Sequence, residues 1–216
     1  MRTTTRRAPD ATSPISSYSG LLGAIRTAGL LERSRLFYYS VFATLVVALG
    51  GAITGFVMLG HSWFQLIIAG VLGIIFTQFA FLGHEASHRQ VFASGRANDR
   101  AGRALASGVV GMSYSWWMNK HTRHHANPNT IGKDPDIAID VISFVEQDAA
   151  SARGLRALIT RHQASLFFPF LLFEGVNLHM KSFGHIFGRG KVDGRALEIA
   201  LILGRMAIVV GAVFWV

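Results

Sequence analysis

Two apolar runs separated by three residues constrain this chain more than anything else in it. Residues 36–59 run for 24 positions without a charged side chain and residues 63–82 for 20 more, with only Gly60, His61 and Ser62 between them. A helix needs about 20 predominantly apolar residues to cross the hydrocarbon core of a bilayer. Each run is long enough, and so short a linker permits only an antiparallel return. The expected fold is an all-α integral membrane protein built on a transmembrane helical hairpin. Composition agrees: charged residues are 15% of the 216, against about 25% in an ordinary soluble domain.

The formal charge of +9 would raise nucleic-acid binding for a soluble domain. In a membrane protein its placement matters more. Residues 1–35 carry six Arg and residues 89–161 carry ten Lys or Arg, while the linker carries neither. By the positive-inside rule both flanks of the hairpin face the cytoplasm. The basic surplus then suits membrane lipid or an acidic redox partner, and no nucleic acid is expected. The sequence has no Cys, which removes disulfides, thiolate ligands and cysteine nucleophiles together.

The chain divides accordingly. Residues 1–35 are expected to form a cytoplasmic tail and interfacial helix, with the tail over 1–18 and the helix over 19–32; no apolar stretch marks a signal peptide. Residues 36–82 form the hairpin. Its Gly50, Gly51, Gly55 and Thr54 are small enough to let the second span approach through Gly70 and Gly73. Residues 83–195 form a cytoplasmic-face region in which Tyr114, Trp116 and Trp117 favour the headgroup level. A loop at Asn127, Pro128, Asn129, Gly132 and Pro135 is followed by a helix-compatible stretch, residues 138–159, acidic first and Arg-bearing later. Residues 166–173, broken by Pro169, are too short to span and are expected to lie in the interface. Residues 196–216 start a third span despite Glu198 and Arg205.

Five of the nine His fall in two tight groups, His84 with His88 and His121 with His124 and His125. Helix positions three and four apart share a face, so each group aims its imidazoles at one point. Neutral imidazole is the commonest metal ligand. A lone His is usually structural, but two clusters on one membrane face point to metal. Ligand type alone leaves zinc, iron, copper and nickel open. His84, Glu85 and His88 also fit the H-E-x-x-H pattern of zinc proteases. Against that reading, the second cluster supplies more ligands than one zinc needs, and five imidazoles suggest two metals. Glu85, Asp134 and Asp136 are candidates to accept hydrogen bonds from ligand imidazoles and orient them.

At GHEASHRQVF, residues 83–92, and NKHTRHHANPNTIGKDPDI, residues 119–137, the chain resembles the membrane-bound fatty acid desaturases of the wider di-iron desaturase and hydroxylase group. The likeness extends more weakly to the hairpin and to FEGVNLHMKSF, residues 173–183. It implies two Fe ions held by His84, His88, His121, His124 and His125, with no catalytic group beyond these ligands. It also implies molecular oxygen and removal of two hydrogens from a fatty acyl substrate carried as a CoA, carrier-protein or lipid ester. No H-P-G-G haem motif is fused, so the electron-transfer protein would be separate. The family's third His cluster has no counterpart here, and the resemblance therefore implies an N-terminal part with two of three boxes, inactive alone. His61, His162, His179 and His185 are isolated. Of these His179, near Glu174 and Asn177 on a helical face, is the best placed to contribute. A carotenoid ketolase or hydroxylase, and a non-catalytic membrane remnant, are the other readings of the same residues.

Overall fold

A computed structural model describes residues 14–138 and 140–215; most of the expected tail over 1–18 lies outside them. Among the described residues every regular element is a helix. The first, α1 (Pro14–Thr27), begins and ends five residues earlier than expected. It stops at Gly29, φ 70°, where the N–H of Gly29 donates to Arg26 O and that of Leu30 to Ile25 O. That left-handed stop needs a residue without a Cβ.

The apolar runs become α2 (Arg35–Leu59) and α3 (Gln65–Ser87). Together with α8 (Arg195–Trp215), they are the three helices among the described residues long and apolar enough to cross a membrane. At the hairpin turn Gln65 Nε2 donates to Phe56 O (2.7 Å) and Gly60 O (2.9 Å), occupying carbonyls that the end of α2 leaves open. The two helices do not meet through the expected glycines. A methyl at Gly50, Gly51, Gly70 or Gly73 would touch nothing within 4 Å, and only Gly55 faces its partner, at Ile68. The seam runs instead through Leu45, Ala52, Ile75, Phe79 and Leu82. Leu45 and Ala52 are seven positions apart and so share a stripe, whereas Gly50 and Gly51 sit one or two positions off it and turn outward.

Beyond α3 the chain folds back along it. α4 (Gly95–Arg103) continues directly into a π-helical segment (Ala104–Val110), which packs Leu105 into the α2–α3 core. A π turn is wider than an α turn and leaves its last carbonyls without regular partners. Val109 O accepts from Arg205 Nε of α8 (2.8 Å), and Val110 O lies 3.2 Å from His179 Nε2 of the penultimate helix. The third span therefore docks mainly on the π segment, touching the hairpin where Arg205 lies over the Phe76 ring.

α5 (Tyr114–Ala126) starts at Ser113, whose Oγ accepts from Trp116 N (3.1 Å). Residues 138–159 do not form the expected single helix. Within them lies the short α6 (Glu146–Ala150), and a break follows before α7 (Gly154–Phe187). Hydrogen bonds to α7 compete with helix there: Gln163 pairs through its amide with Ser143 N and O (both 3.0 Å), and Arg156 Nη2 donates to Asp148 O (3.2 Å). Residues 166–173 are likewise not a short isolated segment. They sit inside α7, whose 34 residues run through Pro169, a length of about 50 Å. Proline removes one backbone hydrogen bond, and the turns on either side keep the helix continuous.

Candidate metal centre

The last turns of α3 and the middle of α5 bring the two histidine groups together. His84 is in the final turn of α3 and His88 is its C-cap, with His88 N donating to His84 O (3.1 Å). His121 is buried on α5, and His124 and His125 follow one turn later. His121 Nε2 lies 2.9 Å from His88 Nε2. One ligand nitrogen from each of His84, His88 and His121 lies within 4.8 Å of the others. His125 packs edge-on against both His88 and His121, with ring centroids 4.7 and 4.4 Å away.

His124 is held differently. Its Nδ1 is 3.0 Å from both carboxylate oxygens of Asp134 and 3.2 Å from Asp136 Oδ2. An imidazole that donates its Nδ1 proton to a carboxylate keeps Nε2 as the nitrogen that can ligate. Asp134 is itself fixed: its oxygens accept from Asn129 N (2.7 Å) and Asp136 N (2.9 Å). Burial alone would raise its pKa, but the hydrogen bonds from Asp136 N, His124 and Asn129 N outweigh that and hold the carboxyl below its ordinary value. Glu85 sits 3.5 Å from His84 Nδ1 and accepts from Tyr38 Oη (3.1 Å).

The electrostatics keep lone pairs available. Burial, then the imidazoles around it, push His121 down to about 4, and the same causes lower His88. Protonating one ring among several desolvated neighbours is unfavourable, whereas a metal cation accepts all of their lone pairs. An imidazole set with one member anchored on a buried carboxylate fits a bound transition metal.

Trp117, whose headgroup preference does not announce it, reaches the imidazoles. It stacks on His121, centroids 4.9 Å apart and planes at 20°, and meets His84 edge-on at 5.9 Å. Tyr114 is buried, and its hydroxyl donates to Asp99 Oδ1 (3.2 Å); burial, then Asp99, push its pKa up to about 12. Their spacing carries a signal: Trp117 precedes His121 by four residues and so shares its face. The remaining histidines stand elsewhere. His61 lines the turn of the hairpin, His162 is exposed on α7, and His185 lines a groove beyond α5. His179 is engaged with the carbonyls of Gly175 (2.6 Å) and Val110, while Asn177 Nδ2 donates to Glu174 Oε2 (3.0 Å).

The fatty acid desaturase family profile matches residues 61–216. The chain belongs to that family. Both histidine groups and all three of their carboxylate neighbours lie inside the matched region. The chain is 26% identical over 196 residues to a Δ8 fatty acid desaturase of Helianthus annuus, covering 84% of this chain and 42% of that one. It is 28% identical over 199 residues to a Δ8-(E)-sphingolipid desaturase of Kluyveromyces lactis, covering 84% and 33%. To fatty acid desaturase 3 of Bos taurus it is 27% identical over 163 residues, covering 74% and 37%. The chain spans less than half the length of these relatives. No solved structure matches it. These matches do not favour the carotenoid reading.

Proposed function

We propose that this desaturase introduces a double bond into a fatty acyl chain at an iron centre held by His84, His88, His121, His124 and His125. The observation that carries the reading is the approach of His121 to His88 from two different helices, which gathers His84, His88 and His121 with His125 packed against the last two, while His124 stands beside them with Asp134 and Asp136. Two irons bound there would supply the oxygen-activating chemistry. In the overall reaction two C–H bonds break and one C=C forms, while O2 takes two electrons and two protons from the substrate and two of each from donor and solvent, leaving as two waters. A separate electron-transfer protein supplies the donor electrons.

The chain's own residues prepare the site. Asp134 holds His124 in the Nδ1–H tautomer, Trp117 fixes the ring plane of His121, and desolvation keeps His121 and His88 unprotonated at neutral pH. Five imidazoles fall short of the about eight donors that two irons take at four apiece, so solvent or further protein ligands complete the set. The basic residues flanking the hairpin put the boxes on the cytoplasmic side. In this arrangement 1–35 precedes the membrane, 36–82 is the hairpin, 83–195 is the metal-binding region and 196–216 enters the membrane again. Beyond α5 a groove of about 660 Å³, in which Arg96, Arg100, Arg103, Arg123 and Lys191 outnumber Asp99 and Asp193, offers charge complementarity to membrane lipid, an acyl carrier or an acidic donor.

Expression in a host with a known lipid profile tests the reading. A new unsaturated acyl species, absent when His121→Ala is expressed at the same level, supports it. New oxygenated carotenoids, or an unchanged profile in the presence of a reductase and the completing ligands, contradict it.

A further inference from the structure

Glu198 is wholly buried although it stands in the first turn of the third span. A carboxylate taken out of water is tolerated only when charge-paired and hydrogen-bonded, and Glu198 is both. Its Oε2 accepts from Ser113 Oγ (2.6 Å); its Oε1 accepts from Ser115 Oγ (2.6 Å), Ser115 N (3.1 Å) and Arg103 Nε (3.1 Å). All of these donors lie at the end of α4 or the start of α5. Ser113 is the N-cap of α5, and its N–H donates to Ser182 Oγ of α7 (2.6 Å), while Tyr114 N donates to Ser107 Oγ of the π segment (3.3 Å). The first turn of α5 is thus pinned from several sides, and α8 provides the buried carboxylate among its partners.

α5 carries His121 two turns further on. Apolar packing would hold α5 against its neighbours equally well, but it would not choose the angle at which the helix is rolled. Directional hydrogen bonds to the capping turn do. A roll of about ten degrees moves a ring carried about 6 Å off the axis by about 1 Å, a looseness at which designed metal sites fail. We infer that Glu198 is a positioning residue for the metal centre, its carboxylate fixing the rotation of α5 at which His121 meets His88. The inference rests on the metal reading above.

The test uses the 216-residue chain in detergent, titrated with Co²⁺ and followed by the visible bands of the bound ion, with circular dichroism and thermal unfolding alongside. Glu198→Gln keeps the volume and one acceptor but loses the charge; Ser113→Ala removes only the capping hydroxyl. Asp193→Asn removes the exposed carboxylate on the outer side of Arg103 and serves as control. Glu198→Gln and Ser113→Ala are expected to bind Co²⁺ at least about tenfold more weakly, with shifted bands and unchanged helicity, while Asp193→Asn matches wild type. Wild-type affinity and bands in both variants, with only thermal stability reduced, would overturn the inference. A wild-type chain that shows no Co²⁺ bands would overturn the metal reading itself and this inference with it. Should Glu198→Gln fail to fold, Ser113→Ala decides alone.

Discussion

His121 Nε2 and His88 Nε2 face one another at 2.9 Å across the α3–α5 junction. Two imidazolium ions cannot share that distance, and two neutral rings can share only one proton along it. A cation between the helices gives both lone pairs a partner. The sequence separates these residues by 33 positions, and it is the return of α4 and the π segment along α3 that closes the gap.

The carboxylate behind the cluster is expected to matter nearly as much as the ligands. Asp134→Asn keeps the shape but turns an amide N–H₂ toward donors that now point at Asp134, so His124 loses its fixed tautomer. Iron or Co²⁺ affinity should fall about 10- to 100-fold, read by titration against a chromophoric chelator. Unchanged affinity would show that His124 is oriented by Asp136 alone or does not ligate.

The orientation of the hairpin is open to a direct probe because the chain has no Cys. A single Cys at Ser62 in intact cells should react with a membrane-impermeant thiol reagent, and one at Ser94 should react only after lysis. The reverse pattern would put the histidine cluster on the outer face.

Two glycines make contrasting predictions about stability. A methyl at Gly102 would run into the ring of Tyr114, whose position is fixed by burial and by Asp99, so Gly102→Ala should cost about 1–3 kcal/mol. A methyl at Gly95 would meet the guanidinium of Arg89, the mobile end of a half-exposed ion pair with Asp99. Gly95→Ala should cost under about 1 kcal/mol. Denaturant or thermal unfolding in detergent compares them, and equal costs would mean that Tyr114 can move aside.

Much of this was legible in the sequence, and the rest fails for identifiable reasons. A long apolar run has one low-energy home in a bilayer, so α2, α3 and, despite Glu198 and Arg205, α8 follow from hydropathy. The i, i+3, i+4 spacing puts each histidine group on one face whatever else the chain does. Hydropathy does not say which stripe of a uniformly apolar helix meets its neighbour, and of the hairpin glycines named only Gly55 faces the partner helix. Proline costs a local hydrogen bond and so suggests a break at Pro169, but the helix around it is long enough to absorb the loss. A preference of Tyr114 and Trp117 for the headgroup layer says nothing of what their rings touch; only the positions of Asp99 and His121 do. Glu198 looked like an ill-placed charge because Arg103, its counter-ion, lies 95 residues earlier.

The most direct test of the whole reading is the metal content of the purified chain after anaerobic loading with Fe²⁺ and removal of loose ions. The wild-type chain should retain iron with a Mössbauer spectrum of nitrogen-ligated high-spin Fe²⁺, the exposed His162→Ala variant should match it, and the double variant His88→Ala/His121→Ala should retain none. Equal iron in wild type and double variant, or no retained iron in wild type, would contradict the assignment of these imidazoles as the metal centre.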